Sequence, residues 1–229
     1  METPTQAGPG PARSEAKPSE VPETGLVRLD PNDRAQLEAF ADLHEATLPY
    51  SVPVQFGRRF MTRFYFPKLV ADGLAAGDLF RFEGKWAGYN LYTKYPHTML
   101  RDAIRRHFFF LCGFMPGVLL ANPRALLAIP KLLRNTGGFP ELPRTGYWLT
   151  FGVHPELRRA QVDGKRIANR LVERMFEYFR EEGFDAVEGT TDRSNGAALI
   201  LYRTMGFRVQ DRGLEGGTKI QVRYELGAV

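Results

Sequence analysis

The segment from Asn195 to Phe207, NGAALILYRTMGF, is the part of this 229-residue sequence that most restricts the fold. Asn195 suits a helix N-cap, because its side-chain oxygen accepts a hydrogen bond from a free backbone N–H in the first turn. Gly206 suits the left-handed residue that ends a helix, and Phe207 opens an apolar strand. The segment therefore predicts a short helix followed directly by a strand. Tyr202 lies among the apolar residues of that helix, and packing is the simplest interpretation of its position.

Hydrophobic periodicity along the rest of the chain predicts alternating helices and strands. The second predicted helix has Phe56, Phe60, Phe64 and Leu69 on its apolar side, and Glu83-Gly84 is the turn of a hairpin. This order predicts an α/β (α+β) fold with a mixed central sheet of about six to seven strands and helices on both faces. The predicted strands are 27–29, 78–82, 86–92, 147–153, 186–191, 207–210 and 219–225; besides the Asn195 segment, the predicted helices start at Asp30-Pro31 and cover 56–71 and 165–182.

The ends of the chain and its single cysteine set further limits. Residues 1–25 are rich in Pro, Gly, Ser and Glu and lack aromatic residues, so we expect a disordered tail before one domain over 26–229. The tail lacks the apolar core of a secretion signal, and no apolar run reaches the roughly 18 residues of a membrane span. Cys112 is the only cysteine, so neither a disulfide framework nor a cysteine-based metal site is expected. These features predict a cytoplasmic protein with no metal.

Residues 98–145 form an apolar and basic insertion between the third and fourth predicted strands. The insertion has seven basic and two acidic residues, so it carries the whole net charge of +5 and the remainder of the chain is neutral. A nucleic-acid-binding protein would spread basic residues over a whole face, so no nucleic-acid partner is expected. Pro116, Pro123 and Pro130 predict short helices, with Asn122-Pro123 as a helix start. Three interpretations stay open: a lid or acyl tunnel over an acceptor, a peripheral membrane contact through 104–134, and a homodimer contact or additional core.

The segment from Phe151 to Phe179 predicts an anion-binding loop between a strand and a helix. Backbone N–H groups at a helix start lack partners, and the helix dipole favours negative charge there. The loop contains Gly164, and it is surrounded by positive charge. A glycine-bearing loop of this kind suits a phosphate, although an ordinary solvated loop fits the same residues. The basic residues are Arg158, Arg159, Lys165 and Arg166.

The two segments together resemble the GNAT superfamily of N-acetyltransferases. Asn195–Phe207 fits the pattern N-x-x-A-x-x-L-Y-x-x-x-G-F at every defined position, and Val153-His-Pro-Glu precedes the basic loop and its helix. The resemblance covers 27–226 apart from the insertion. The family's loop reads Arg/Gln-x-x-Gly-x-Gly/Ala, and the best register here runs from Asp163 to Ala168. Asp163 then replaces the Arg or Gln, Arg166 replaces the Gly, and residues 159–163 lengthen the loop.

The resemblance implies an enzyme that uses acetyl-CoA or a longer acyl-CoA, held where the strands 147–153 and 186–191 separate. It implies pairing of the pantetheine arm with the first of these strands, and polarisation of the thioester carbonyl by a backbone N–H near 151–153. It also implies that Tyr202 protonates the departing thiolate. The implied cofactor-binding residues are Phe151, Gly152, Val153, Arg159, Gly164, Lys165, Arg166, Ile167, Ala168, Asn195 and Tyr202.

The resemblance defines the acceptor side less closely. Glu188 is the candidate catalytic base, because a mid-strand carboxylate beside the cleft can relay a proton through water; a solvated strand residue is the alternative. His44 and Glu45, at the end of the first predicted helix, are the candidate substrate-binding residues. His154, just after the cofactor strand, is a further candidate.

The function expected from the resemblance is acyl transfer, most simply acetyl transfer, from acyl-CoA to a small-molecule amine or hydroxyl. An amphiphilic or lipid-linked acceptor, and with it a peripheral membrane association, is the form that the insertion favours. Two alternatives stay open. One is a long-chain N-acyltransferase that uses acyl-CoA or acyl carrier protein, and the other is a non-catalytic GNAT-like binding module.

Overall fold

The centre of the fold is a seven-stranded mixed sheet. The computed structural model describes residues 22–130, 142–214 and 218–227. Its strands are ordered β1-β2-β3-β4-β7-β9-β8, and neighbours are antiparallel except for β4 and β7. A separate two-stranded hairpin consists of β5 and β6. The strands are β1 Gly25–Arg28, β2 Ala76–Phe82, β3 Lys85–Thr93, β4 Thr145–Val153, β5 Gln161–Val162, β6 Lys165–Arg166, β7 Ala186–Asp192, β8 Arg208–Leu214 and β9 Lys219–Glu225.

Helices cover both faces of this sheet, as the sequence predicts. Consecutive residues of β3 show the two layers: a Cβ on Gly88 would meet Leu171 of α7, whereas Tyr89 packs with the core below α1. The first face carries α1 to α6, and the second carries α7 and α8. The helices are α1 Arg34–Thr47, α2 Val52–Phe56, α3 Arg58–Phe60, α4 Phe66–Ala71, α5 Met99–Arg106, α6 Phe108–Ala121, α7 Ile167–Glu181 and α8 Gly196–Thr204.

The predicted hairpin of β2 and β3 is confirmed, with its turn at Glu83-Gly84. Both turn residues have positive φ, 49° and 75°, which gives the turn the twist that the two strands require. The turn also binds the start of the described chain, because Gly84 N–H donates to the Glu23 carbonyl over 2.9 Å. Most of the predicted N-terminal tail lies outside the described residues.

Two helix starts differ from the sequence predictions. The first helix is capped by Asp33, which accepts hydrogen bonds from the N–H groups of Ala35 and Gln36, and not by Asp30. Asp30 instead accepts from the N–H of Asn32 over 2.8 Å and closes a local turn before the helix. The predicted continuous helix over 56–71 is interrupted at Gly57, whose φ of 89° is incompatible with a helix. The chain resumes with α3, a π-helical turn at Met61–Tyr65 and α4, and all four predicted apolar residues of this region are buried.

The insertion is helical, as expected, and its described part consists of α5, α6 and a 3-10 turn at Pro123–Ala128. The prediction that Pro116 interrupts the helix is wrong, because α6 continues through it. The proline removes one hydrogen bond to the carbonyl of Cys112, and that residue is exposed, so water can replace the missing donor. The prediction for Pro123 holds, since it opens the 3-10 turn after Asn122.

No helix in the described part of the chain is by itself long and apolar enough to cross a membrane. The bent pair α5 and α6 passes that test when taken together, with an angle of 94° between the two helices.

Candidate active site

The candidate site begins where the parallel strands β4 and β7 separate. The two strands pair from Thr145 opposite Ala186 to Trp148 opposite Gly189, and no pairing continues beyond that point. β4 goes on to pair with β3 as far as Val153, while β7 goes on to pair with β9 as far as Asp192. The main-chain groups of 149–153 that face β7 therefore have no strand partner. The predicted separation of these two strands is confirmed.

A β-bulge in β4 lies directly at this point of separation. Trp148 is opposite Tyr92 and Thr150 is opposite Leu91, so Leu149 is the extra residue. A bulge bends its strand and leaves the extra residue unpaired. The bulge thus turns β4 away from β7 and opens the cleft between them.

Trp148 is held rigidly at this position. Its indole N–H donates to the side-chain oxygen of Asn90, whose amide in turn donates to the carbonyl of Leu171 over 3.0 Å. The indole also contacts the rings of Phe151 and Tyr202, with centroid distances of 5.0 and 5.5 Å. Sequence reasoning missed Trp148 and Asn90, because their partnership joins residues 58 positions apart.

Tyr202 lies at the point where the strands separate, on α8. The helix is capped by Asn195, which accepts from the N–H of Ala198 over 3.1 Å, and Gly206 ends it with φ of 86°. The Tyr202 ring is 7% exposed and packs on Trp148 and Phe207. Within the described ranges its hydroxyl has no hydrogen-bond partner. Burial raises the pKa of this hydroxyl above its ordinary value, so it carries its proton at neutral pH.

The predicted phosphate loop has an unexpected conformation. Residues 161–166 form the β5–β6 hairpin, with Asp163 and Gly164 in its turn at φ of 50° and 75°. The base of the hairpin is closed by the N–H of Ile167, which donates to the carbonyl of Ala160 over 3.4 Å. Helix α7 therefore begins at Ile167, two residues after the predicted start near Lys165, because Lys165 is paired in the hairpin. The dipeptide Asp163-Gly164 is typical of a two-residue hairpin turn, so the sequence does contain an indication of this hairpin.

The hairpin changes which residues lie beside the start of α7. Asp163 is at its exposed tip in an ion pair with Arg170, 2.6 Å apart, and Lys165 pairs with Glu173 over 2.8 Å. When 161–165 are treated as an inserted segment, Arg158 aligns with the Arg/Gln position of the family loop, and Arg166 stays at the Gly position. Arg158, missed as a site residue, is therefore the better match to that position than Asp163.

The start of α7 has the features of an anion site. Arg166 occupies the N-cap, and no side chain caps the helix. Ile167 donates to Ala160, which leaves the N–H groups of Ala168 and Asn169 without a partner in the described part of the chain. Exposed Arg158 and Arg159 precede the hairpin. Free N–H groups at a helix start together with guanidinium groups suit phosphate oxygens.

Glu188 lies on the sheet face opposite to α7 and is 2% exposed. Its two carboxylate oxygens are already bonded, one to the Arg223 guanidinium over 2.9 Å and the other to the amide of Gln221 over 2.6 Å. A role as base would require one of these bonds to exchange for water, and the role stays a prediction. Glu188 and Tyr147 line a cavity of about 320 Å³. Its other walls come from Phe184 and from 94–98 and 142–146, where the insertion begins and ends.

His44 and Glu45 are adjacent in α1 but have different surroundings. His44 is buried beside the β4 bulge, with Nε2 2.8 Å from Ser51 Oγ and Nδ1 3.4 Å from Thr150 Oγ1. Burial lowers the pKa of His44 to about 4, so the ring is neutral at neutral pH. Glu45 lies 3.6 Å from Arg58; burial raises the pKa of its carboxyl, and Arg58 opposes that shift. The structure therefore brings His44, but not Glu45, to the cleft strand.

His154 is separate from this group. Its backbone N–H donates to the carbonyl of Ala87 over 2.8 Å and continues the edge of β3 and β4.

Comparisons with known proteins agree with this geometry. The acetyltransferase (GNAT) family model matches residues 135–207. No curated protein sequence matches the chain. Among solved structures, SsHAT has 18% identity and a TM-score of 0.59, covering 90% of this chain and 100% of that one.

Two similar structures were solved with a ligand of the expected class. PaiA N-acetyltransferase from Thermoplasma acidophilum, in complex with coenzyme A, has 10% identity and a TM-score of 0.51, covering 88% of this chain and 98% of that one. YncA from Salmonella typhimurium, with acetyl-CoA, has 12% identity and a TM-score of 0.51, covering 91% and 96%. At these identities the structures show a common fold only. Residues 135–207 therefore match the acetyltransferase model of the GNAT family, and the described sheet has the GNAT fold.

Proposed function

We propose that this protein transfers an acyl group, most simply acetyl, from acyl-CoA to an amine or hydroxyl of a small-molecule acceptor. The observation that carries the proposal is the separation of β4 and β7 after Trp148 and Gly189, with the protonated hydroxyl of Tyr202 at the same point. An activated thioester supplies the acyl group when the donor is bound. The remaining requirements are to hold the donor, orient the acceptor and protonate the leaving sulfur.

Two groups of residues fit the donor. The main chain of 149–153 has unpaired groups that face the cleft. These groups suit the pantetheine arm of CoA, whose amides supply hydrogen-bond donors and acceptors. The free N–H groups of Ala168 and Asn169, with Arg158, Arg159 and Arg166 nearby, suit its phosphates. The predicted contributions of Gly164 and Lys165, which lie in the hairpin, stay predictions.

Tyr202 is the proposed acid. Burial keeps its hydroxyl protonated, and that hydroxyl has no other hydrogen-bond partner in the described segments, so it is available to a ligand. A thiolate has a pKa of roughly 8.5, so it needs only a weak acid to leave as a thiol. The bond from the acyl carbon to the acceptor forms as its bond to sulfur breaks. The acceptor loses its proton to water, the thiolate takes the proton of Tyr202, and Tyr202 regains a proton from water.

The cavity between Tyr147, Glu188 and the two ends of the insertion is the proposed acceptor space. Its position next to an apolar insertion supports an amphiphilic acceptor. The proposal has a variant in which the donor carries a long acyl chain. In that variant the cavity or the insertion receives the acyl chain.

Calorimetric titration with CoA, acetyl-CoA and acyl-CoAs from octanoyl to palmitoyl tests the proposal. We expect binding, weakened roughly tenfold in Arg158→Ala because one charge-assisted phosphate contact is lost. Arg34→Ala, which removes an 89% exposed arginine on α1, is the matched control and is expected to bind like the wild type. Absence of binding by the wild type would overturn the proposal. Binding restored in Arg166→Gly would then identify Arg166 as an obstruction and favour a non-catalytic module.

A further inference from the structure

Helix α6 is an apolar helix of which the described chain covers one stripe, with the rest exposed. The covered residues are Leu111, Phe114, Met115, Val118 and Leu119. The fourteen residues of α6 include no charged side chain, and only Val118 is buried. Phe109 is 89% exposed and Leu120 is 83% exposed. A helix on a protein surface usually pairs one apolar stripe with a charged outer face, so this helix requires an apolar neighbour. We call the following residues the apolar surface: Phe108, Phe109, Phe110, Leu120, Leu126 and Leu127.

Basic side chains lie on either side of α6 in the chain, and we call them the basic rim. Arg101, Arg105 and Arg106 lie on α5 just before α6, and Arg124 lies in the 3-10 turn after it. Arg105 and Arg124 are exposed and have no ion-pair partner among the described residues. Asp102 is the only acidic residue in 98–130. Arg101 pairs with Asp102 and Arg106 pairs with Asp72, so Arg105 and Arg124 are the cations of the rim that are available to an anionic partner.

The corner between α5 and α6 is fixed to the body of the protein. His107 Nε2 lies 2.9 Å from a carboxylate oxygen of Asp72, which follows α4, and Arg106 donates to the carbonyl of Asp72 over 3.3 Å. Lys68 lies 5.6 Å from the centre of the Phe110 ring. The 94° angle between α5 and α6 is thus held by specific contacts. Helix α6 is about 21 Å long, which is short of the roughly 30 Å of a bilayer core, so by itself it fits the plane of the interface.

We propose that α6 and the following 3-10 turn dock on the surface of an anionic lipid bilayer. The apolar surface would lie at the boundary of the acyl chains and the basic rim at the headgroups. A second copy of the chain would fit less well, because a two-fold contact brings two identical cationic rims together. This inference does not depend on the proposed acyl transfer.

Flotation of the full chain with phosphatidylcholine vesicles, with and without phosphatidylglycerol, tests the docking. We expect binding to the vesicles that contain phosphatidylglycerol, and weaker binding as salt is added. Phe109→Asp and Leu120→Asp should each weaken binding by roughly tenfold or more, since one apolar side chain is no longer buried. Arg105→Glu and Arg124→Glu should each weaken it by roughly fivefold or more. All four side chains are exposed, so we expect the variants to unfold at the wild-type temperature.

Ile200→Asp is the matched control, because this 66% exposed apolar residue lies on α8, on the other face of the sheet. We expect it to bind vesicles like the wild type. Three results would overturn the inference: no vesicle binding by the wild type, wild-type binding by Phe109→Asp and Leu120→Asp, or equal loss in Ile200→Asp. A dimer in sedimentation that Phe109→Asp dissociates, with no vesicle binding, would assign the apolar surface to a second copy instead.

Discussion

Trp148 is the residue that joins the fold to the candidate chemistry. It is the last residue of β4 that pairs with β7, its indole is bonded to Asn90, and its ring packs on Tyr202. The position of Tyr202 therefore depends on a side chain in another element, and the two are 54 positions apart in the sequence. A local pattern identifies Tyr202, but it gives no information about this contact.

Tyr202→Phe should lower kcat on the order of 10²-fold, because the proton that neutralises the leaving thiolate is lost. The affinity for acetyl-CoA should change little, since the ring and its packing are retained. Steady-state kinetics with the natural acceptor, once identified, and calorimetry for the donor separate the two effects. Tyr224→Phe is the control, since it removes another tyrosine hydroxyl of the same core cluster. Equal activity of Tyr202→Phe and the wild type would show that Tyr202 only packs.

His44 should make the fold sensitive to acid. Its pKa is about 4 in the folded chain and about 6.5 in the unfolded chain, so protons bind preferentially to the unfolded chain. Its contribution to stability is therefore complete above pH 6.5 and declines as the pH falls towards 4, by about 3 kcal/mol in all. Urea unfolding from pH 7 to 4.5 should show a steeper loss for the wild type than for His44→Gln. Parallel pH profiles of the two proteins would contradict this assignment.

At the scale of elements, the β5–β6 hairpin is the largest departure from the sequence prediction. The register chosen from the sequence treated 159–163 as a longer loop, whereas the chain folds 161–166 on itself and resumes α7 at Ile167. Asp163-Gly164 between two short paired segments favours a tight hairpin turn, whereas the register taken from the family pattern predicts a longer loop. The chain adopts the hairpin turn.

Deletion of 161–165 should leave the fold intact. The chain on either side is already joined by the hydrogen bond from Ile167 to Ala160, and loop length has a small effect on stability, about 1 kcal/mol or less here. Affinity for acetyl-CoA should stay within roughly fivefold of the wild type, because Arg158 and the free N–H groups of α7 remain. Thermal unfolding and calorimetry test both statements. Loss of donor binding in a folded deletion variant would assign the hairpin itself to the donor site.

The packing of α7 on β4 depends on Gly146. A Cβ at this position would lie 2.1 Å from the ring of Phe179, so Gly146→Ala must displace a fully buried aromatic side chain. We expect a loss of roughly 1–3 kcal/mol or more in the free energy of unfolding. Gly117→Ala in α6 is the control, since nothing lies within 4 Å of its added Cβ and alanine favours a helix. Equal stability of both variants would show that Phe179 is not held as described.

At the scale of the whole molecule, the sequence predicts the sheet and the helices on both faces, because those depend on local periodicity. The cleft is predicted from the resemblance to the GNAT superfamily. The sequence does not predict the bulge at Leu149 or the Glu188–Arg223 pair, because both depend on which strands become neighbours. The two glutamates predicted for the acceptor side show the same limit. Glu188 is fully engaged by β9, and Glu45 faces Arg58, and neither partner is adjacent in the sequence.

The insertion shows a limit of another kind. Its residues predict an apolar and basic segment. The structure adds that the described residues cover only one stripe of α6, whereas α5 packs into the body of the protein. Exposure is a property of the assembled chain, so a sequence pattern alone does not give it.

The most direct test of the account is amide hydrogen exchange with and without CoA. We expect the N–H groups of 149–153, of Ala168 and of Asn169 to exchange more slowly by roughly tenfold or more when CoA is bound, because a ligand that pairs with them must leave before they open. Exchange in β1 and β2, at the far edge of the sheet, should be unchanged. Protection confined to another part of the chain, or tight binding of CoA with no protection of 149–153, would contradict the claim that the separated strands hold the donor.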